Sequence, residues 1–192
     1  MPRSLSPERR QAYLDAALHL FTSQGVQNTT TADIARAAGT ASGTLFLYFP
    51  TRQELINALA LDIAARQAEA LGAALLPGQP ARQTFAAIWE GSIRWLLENP
   101  EAFRFAQLAR EPGLLPPEVV AQTGAIFQYY YAAVQKGLQE GSIKPYSPDL
   151  IGGMLYQAIA AVMLLASREE DPNARADLIR QGFEIFWNGI RS

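Results

Sequence analysis

A chain of 192 residues, 49% of them apolar, can bury the core of one or two modest domains and is not a disordered polymer. Its formal net charge of −2 makes it no polycation, so any contact with nucleic acid has to come from a local basic surface. The lack of cysteine excludes disulfides, a thiolate nucleophile and cysteine-ligated zinc, and the single histidine, His19, excludes a histidine-cluster metal site and most catalytic triads.

The first residues, MPRSLSPERRQ, lack the apolar core of a signal peptide. Ser6-Pro7-Glu8-Arg9 predicts a helix start, with Ser6 as the cap and Pro7 in the first helical position. Leu14, Ala17, Leu18 and Phe21 then follow at helical spacing, and Gly25 is the expected stop. Thr30 with Asp33 three residues later predicts a capping box, and Gly39 ends the short helix that it opens. A tight turn leads into a second short helix over about 41–47, which Pro50 closes. Thr51 caps a longer helix expected over 52–75. Beyond the Pro77–Pro80 linker, helices are expected at about 81–98, 100–110, 117–140, 148–169 and 173–191, punctuated by prolines and glycines.

No segment shows sustained period-two alternation, so the predicted class is all-α. The expected organisation is a three-helix head over 1–51, joined through a connecting helix at 52–75 to a larger helical body over 52–192. The longest apolar run, 150–166, is shorter than the roughly 20 residues that a membrane span requires. It also contains Gly152, Gly153, Tyr156 and Gln157. It is expected as a buried helix of a soluble, cytoplasmic protein with no membrane partner. No clustered carboxylate motif such as Glu-x-x-His occurs, and neither an enzyme activity nor a cofactor or metal is expected.

The stretch Gly39-Thr40-Ala41-Ser42-Gly43-Thr44-Leu45-Phe46-Leu47-Tyr48-Phe49 mixes small polar residues with a dense apolar cluster. Two short helices around a glycine turn make a helix-turn-helix unit, whose second helix enters the DNA major groove. Thr40, Ser42 and Thr44 then offer short polar groups to bases or phosphates, and Gly43 allows close backbone approach. Leu45 and Phe49 belong to the core of the head, Tyr48 offers a hydroxyl to a phosphate, and Arg52 offers charge at a helix start. Up to Arg52 five arginines face three acids, leaving +2 in the head and −4 in the rest.

Residues 10–55 closely resemble the DNA-binding head of the TetR family of transcriptional regulators. The resemblance is carried by the Ala-x-x-Leu-Phe run ending at Phe21, Gly25, Thr29-Thr30, Asp33-Ile34-Ala35, Gly39, Gly43-Thr44-Leu45, Phe49 and Leu55. It adds Thr29, Thr30, Ala41 and Phe46 to the expected DNA-facing set. It departs from the family in having Phe46 in place of the usual Tyr and Arg52 in place of the common Lys. The resemblance implies a homodimer on a palindromic double-stranded operator, released by a small molecule. A helical interaction adaptor that has lost DNA binding is the alternative.

In the body, two helices carry apolar residues on more than one side. Gly152, Gly153, Tyr156, Ile159, Ala160 and Met163, together with Ile179, Gly182, Phe183, Phe186 and Ile190, are expected at a four-helix dimer face. Aromatic residues with a few polar neighbours suggest a pocket for a small, largely hydrophobic effector. Its expected lining is Trp89, Ser92, Trp95, Phe103, Phe127, Tyr130, Tyr131 and Tyr156.

Overall fold

The computed structural model describes residues 5–72, 75 and 78–192. The described residues form ten α-helices and no strand: α1 Pro7–Gln24, α2 Thr31–Ala37, α3 Ser42–Tyr48, α4 Arg52–Gly72, α5 Ala81–Glu98, α6 Pro100–Leu108, α7 Pro117–Ile126, α8 Gln128–Gln139, α9 Pro148–Ala166 and α10 Pro172–Ile190.

Local chemistry sets most of the boundaries. The Ser6 Oγ accepts from the Arg9 amide at 3.2 Å, and Gly25 ends α1 at φ 88°, a conformation that a side chain would strain. Thr30 and Asp33 close a reciprocal capping box at the start of α2. The Thr51 Oγ1 accepts from the Glu54 amide at 3.1 Å and caps α4. The helix expected over 52–75 ends at Gly72, and residues 73 and 74 lie outside the described ones. The single helix expected over 117–140 is two: at Phe127 the α-helical ladder gives way to i→i+3 bonds, Phe127 N to Gly124 O at 3.1 Å and Tyr130 N to Phe127 O at 2.9 Å.

The chain divides into two compact units. One runs to Ala65 and takes in Pro100–Thr123; the other comprises Arg66–Asn99 and Gly124–Ser192. In the first unit, Tyr13, Leu14, Ala17 and Phe21 of α1, Ile34 and Ala35 of α2, Leu45 of α3, and Leu55 and Leu59 of α4 are fully buried. Helix α6 packs on α1, with Phe105 stacked on Phe21 at 6.4 Å between ring centres. His19 on α1 meets Glu101 at the start of α6, with Nδ1 2.9 Å from Oε1.

In the second unit, α5 packs against α8, α9 and α10 around an aromatic core. Trp89 is fully buried, stacks on Phe186 at 6.2 Å, and donates from Nε1 to the Ile179 carbonyl at 2.9 Å. Phe183 stacks on Trp187 at 6.4 Å. Gly182 makes this closeness possible: a Cβ there would lie 2.8 Å from Trp89 Cζ2 and closer still to Val162 Cγ2.

Helix α9 departs from the sequence expectation of a buried element. It is long and apolar enough to cross a membrane by length and composition, yet only 28% of that span is buried in the protein. Ile151, Leu155, Ile159, Val162, Met163 and Ala166 face the core, while Leu150, Met154, Leu164 and Leu165 stand about half exposed or more.

Candidate nucleic-acid interface

Helices α2 and α3, with the turn between them, form the expected helix-turn-helix. Gly39 turns the chain at φ 70°, and the Thr40 amide donates back to the Ala35 carbonyl at 2.9 Å. Leu45 and Phe49 anchor α3 in the core. Ala41 offers no side-chain cap, so the first turn of α3 has no side-chain acceptor of its own. Its outward face holds Ser42, Gly43, Phe46 and Leu47: Gly43 is exposed and opens on empty space, and Ser42 is half-buried. Phe46 is 44% and Leu47 66% exposed.

The other residues expected at DNA divide into outward and inward groups. Thr30 is exposed, but its hydroxyl is bound to Asp33 Oδ2 at 2.5 Å within the capping box. Hydrogen bonds from Thr30, followed by the nearby Arg36, hold the Asp33 carboxyl below the ordinary carboxylate range. Thr29 is buried, donating from Oγ1 to the Gly25 carbonyl at 2.9 Å. Its side chain therefore supports the loop before α2 and does not reach outward. Thr40 is half-buried, its hydroxyl shared with Tyr13 at 2.8 Å. Thr44 is half-buried and Ala41 exposed. The Tyr48 hydroxyl accepts from the Ser6 amide at 3.0 Å, and its ring meets Tyr13 edge-on at 5.4 Å. That hydroxyl keeps its own proton to donate.

Arg52 differs most from its expected role. Its guanidinium donates to the Val26 carbonyl and, at 3.3 Å, to the Thr29 carbonyl. It also lies over the Phe21 ring at 5.8 Å. These bonds pin the α1–α2 loop to the start of α4. The sequence places a cation at a helix start, and the structure turns its guanidinium inward onto two loop carbonyls, of which Val26 also accepts from the Thr29 amide at 3.4 Å.

The expected effector residues are dispersed. Trp89, Ser92 and Tyr130 are buried in the core of the second unit, whereas Phe103 belongs to the first. The Tyr130 hydroxyl donates to the Pro148 carbonyl at 2.5 Å, and burial, followed by the neighbouring Tyr131 and Asp149, raises its pKa. Trp95, Phe127 and Tyr156 are half-buried, and Tyr131 is 42% exposed. An open groove of about 420 Å³ is lined instead by Glu90, Arg94, Leu97 and Glu98 of α5 with Ala176, Ile179 and Arg180 of α10, and contains none of the eight.

The expected dimer face is corrected in its residues. Ile159, Met163, Phe183, Phe186 and Ile190 are buried inside the unit. Gly152 sits against the Tyr130 ring, where a Cβ would lie 3.2 Å away, and Gly182 sits against Val162 and Trp89. These glycines serve helix packing within the chain. Tyr156, Ala160 and Ile179 are half-buried, and Gly153 is exposed. The unpartnered apolar stripe lies one step round α9, at Leu150, Met154, Ala161, Leu164 and Leu165, with Gln157 at its middle. Ile185 on the adjacent α10 is 76% exposed. Spacing alone does not single out this stripe, because α9 is apolar nearly all the way round.

Comparisons with known proteins agree with this geometry. The family described as "Bacterial regulatory proteins, tetR family" matches residues 14–59, which contain α2 and α3. The chain is 26% identical to the HTH-type transcriptional regulator SrpR of Pseudomonas putida over 96% of this chain and 86% of that protein. A crystal structure of a tetR family transcription regulator from Shewanella sp. PV-4 is 28% identical, covers 96% of this chain and 98% of its own, and superposes with a TM-score of 0.89. The transcriptional regulator FadR of Bacillus subtilis, solved in complex with stearoyl-CoA, shares the fold with a TM-score of 0.76 at 20% identity, over 94% of this chain and 98% of that one.

Proposed function

We propose, from the membership of this chain in the TetR family of bacterial transcriptional regulators, that it is a repressor released from a palindromic operator by a small, largely hydrophobic effector. The observation that carries the reading is α3, anchored in the core by Leu45 and presenting Ser42, Gly43, Phe46 and Leu47 outward within a helix-turn-helix. Such a helix fits the major groove. Tyr48, with a proton free to donate, and the exposed Arg9 and Arg10 are suited to phosphates.

A palindrome requires two heads, and the apolar stripe on α9 together with Ile185 is suited to a second copy of the chain in a four-helix interface. The effector is assigned to the second unit, whose interior is rich in aromatic side chains. The likeness in fold to FadR in complex with stearoyl-CoA is consistent with an apolar effector. Binding favours one arrangement of the dimer, and linkage of about 1–3 kcal/mol couples it to release of DNA. The regulator acts in the cytoplasm, where its operator is.

The test is a duplex enriched from a random library by the full-length protein, titrated by fluorescence anisotropy over a salt series. A dimer making about six phosphate contacts loses roughly a thousandfold in affinity between 50 and 200 mM salt. If no duplex is enriched, or if binding is indifferent to salt, the operator reading fails and the adaptor reading takes its place.

A further inference from the structure

The chemistry of α3 narrows what the proposed operator contains, and this step rests on the operator reading above. The helix reads Ser42-Gly43-Thr44-Leu45-Phe46-Leu47-Tyr48 and carries no charged side chain. Guanine is commonly read by the bidentate fork of Arg or by Lys, and adenine by the amide of Asn or Gln. None of these four residue types occurs in α3.

What α3 does present is apolar. Phe46 and Leu47 are exposed although the head already has its core in Leu45 and Phe49. Gly43 lies one turn before Leu47, and nothing stands within 4 Å of the place where its Cβ would be, so no neighbour shields that side. Ser42 lies one turn before Phe46 and is itself short. An apolar side chain set against a phosphate strips water from the charge and returns no hydrogen bond. On the major-groove edges of the bases, the feature that rewards an apolar contact is the C5-methyl group of thymine.

We propose that Phe46 and Leu47 are specificity-determining residues that recognise thymine through apolar contact with its C5-methyl group, so that each operator half-site carries thymine where the second half of α3 lies in the groove. Ser42 and Thr44, at the beginning and middle of the helix, supply its hydroxyl groups, and the apolar pair adds a methyl-dependent component.

The experiment uses the full-length protein and the duplex enriched from a random library. Each thymine is replaced in turn by deoxyuridine, which keeps every hydrogen-bonding group and removes only the methyl. At the positions faced by Phe46 and Leu47 the expected loss is about fourfold in affinity per methyl removed, and roughly fifteenfold when both half-sites are changed. Leu47→Ala weakens binding to the thymine duplex and brings the thymine-to-uracil ratio close to one at its position. Phe46→Ala does the same at a neighbouring position. Both side chains are exposed, so the melting temperature of each variant without DNA stays near that of the parent. Deoxyuridine duplexes that all bind within twofold of the thymine duplex overturn the proposal while leaving the operator reading intact. So does a thymine-to-uracil ratio unchanged in both variants. Failure to enrich any duplex overturns the operator reading and this inference with it.

Discussion

Arg52→Ala separates two roles for one cation. As a phosphate contact, Arg52 matters only when DNA is present; as the internal clamp seen in the structure, it matters in the free protein. The substitution removes donors to the Val26 and Thr29 carbonyls and a guanidinium over the Phe21 ring. Hydrogen bonds from a charged donor contribute about 1.5–3 kcal/mol each when buried, and the side chain is half-buried, so we take the lower end. The ring contact adds about 0.5–1 kcal/mol. Allowing for water reaching the freed carbonyls, the free protein should lose about 2–3 kcal/mol, or roughly 4–12 °C in melting temperature by far-UV circular dichroism. Hydrogen exchange locates the loss: the amides of residues 26–30 exchange faster, whereas those of α9 and α10 keep their protection. Arg52→Lys should recover only part of the stability: both bonds leave the one nitrogen Nη2, which an ammonium matches in donors, but the lysine side chain is shorter and sets no planar guanidinium over the Phe21 ring. A variant that melts and exchanges like the parent, and is weakened only in DNA binding, would refute the clamp.

Gly182→Ala is expected to destabilise the second unit, because the new methyl overlaps Val162 and sits 2.8 Å from Trp89 Cζ2. Overpacking of about 1–3 kcal/mol outweighs the gain of up to about 1 kcal/mol in helix propensity, so a denaturant midpoint at or above the parental one would contradict the packing described. Ile185→Asp with Met154→Asp changes side chains that are 76% and 58% exposed, so the fold should survive while self-association weakens more than about 100-fold. Analytical ultracentrifugation checks it, and an unchanged sedimentation profile would place the dimer face elsewhere. The carboxyl of Asp33 titrates below its ordinary range, so its support of α2 is complete above the unfolded value and disappears as pH falls through the lowered one. Asp33→Asn should flatten that acid limb of head stability; a limb of the same shape in the variant would mean that another carboxylate is responsible.

The head was legible because its signals are local. Ser6, Pro7, Gly25, Thr30, Asp33 and Gly39 each act within a few residues of themselves, and every one stands where its chemistry suggested. The inward turn of Arg52 was not legible, since its acceptors lie 23 and 26 residues away. In the body the limit was different. Apolar residues surround α9, so periodicity named a helix without saying which side faces the core; only packing against α5, α8 and α10 divides Ile159 and Met163 from Met154 and Leu164. The break at Phe127 has no proline and no capping side chain to announce it.

All three tryptophans, Trp89, Trp95 and Trp187, belong to the second unit, and the first holds tyrosines and phenylalanines but no tryptophan. Indole emission is therefore a private reporter of the helical body. Trp89 and Trp187, both shielded from solvent, should shift to the red only when that unit opens. A melt in which ellipticity falls before the emission spectrum moves would reveal the head unfolding on its own. An apolar molecule that quenches the indoles without DNA present would localise its binding to the body, with no label attached.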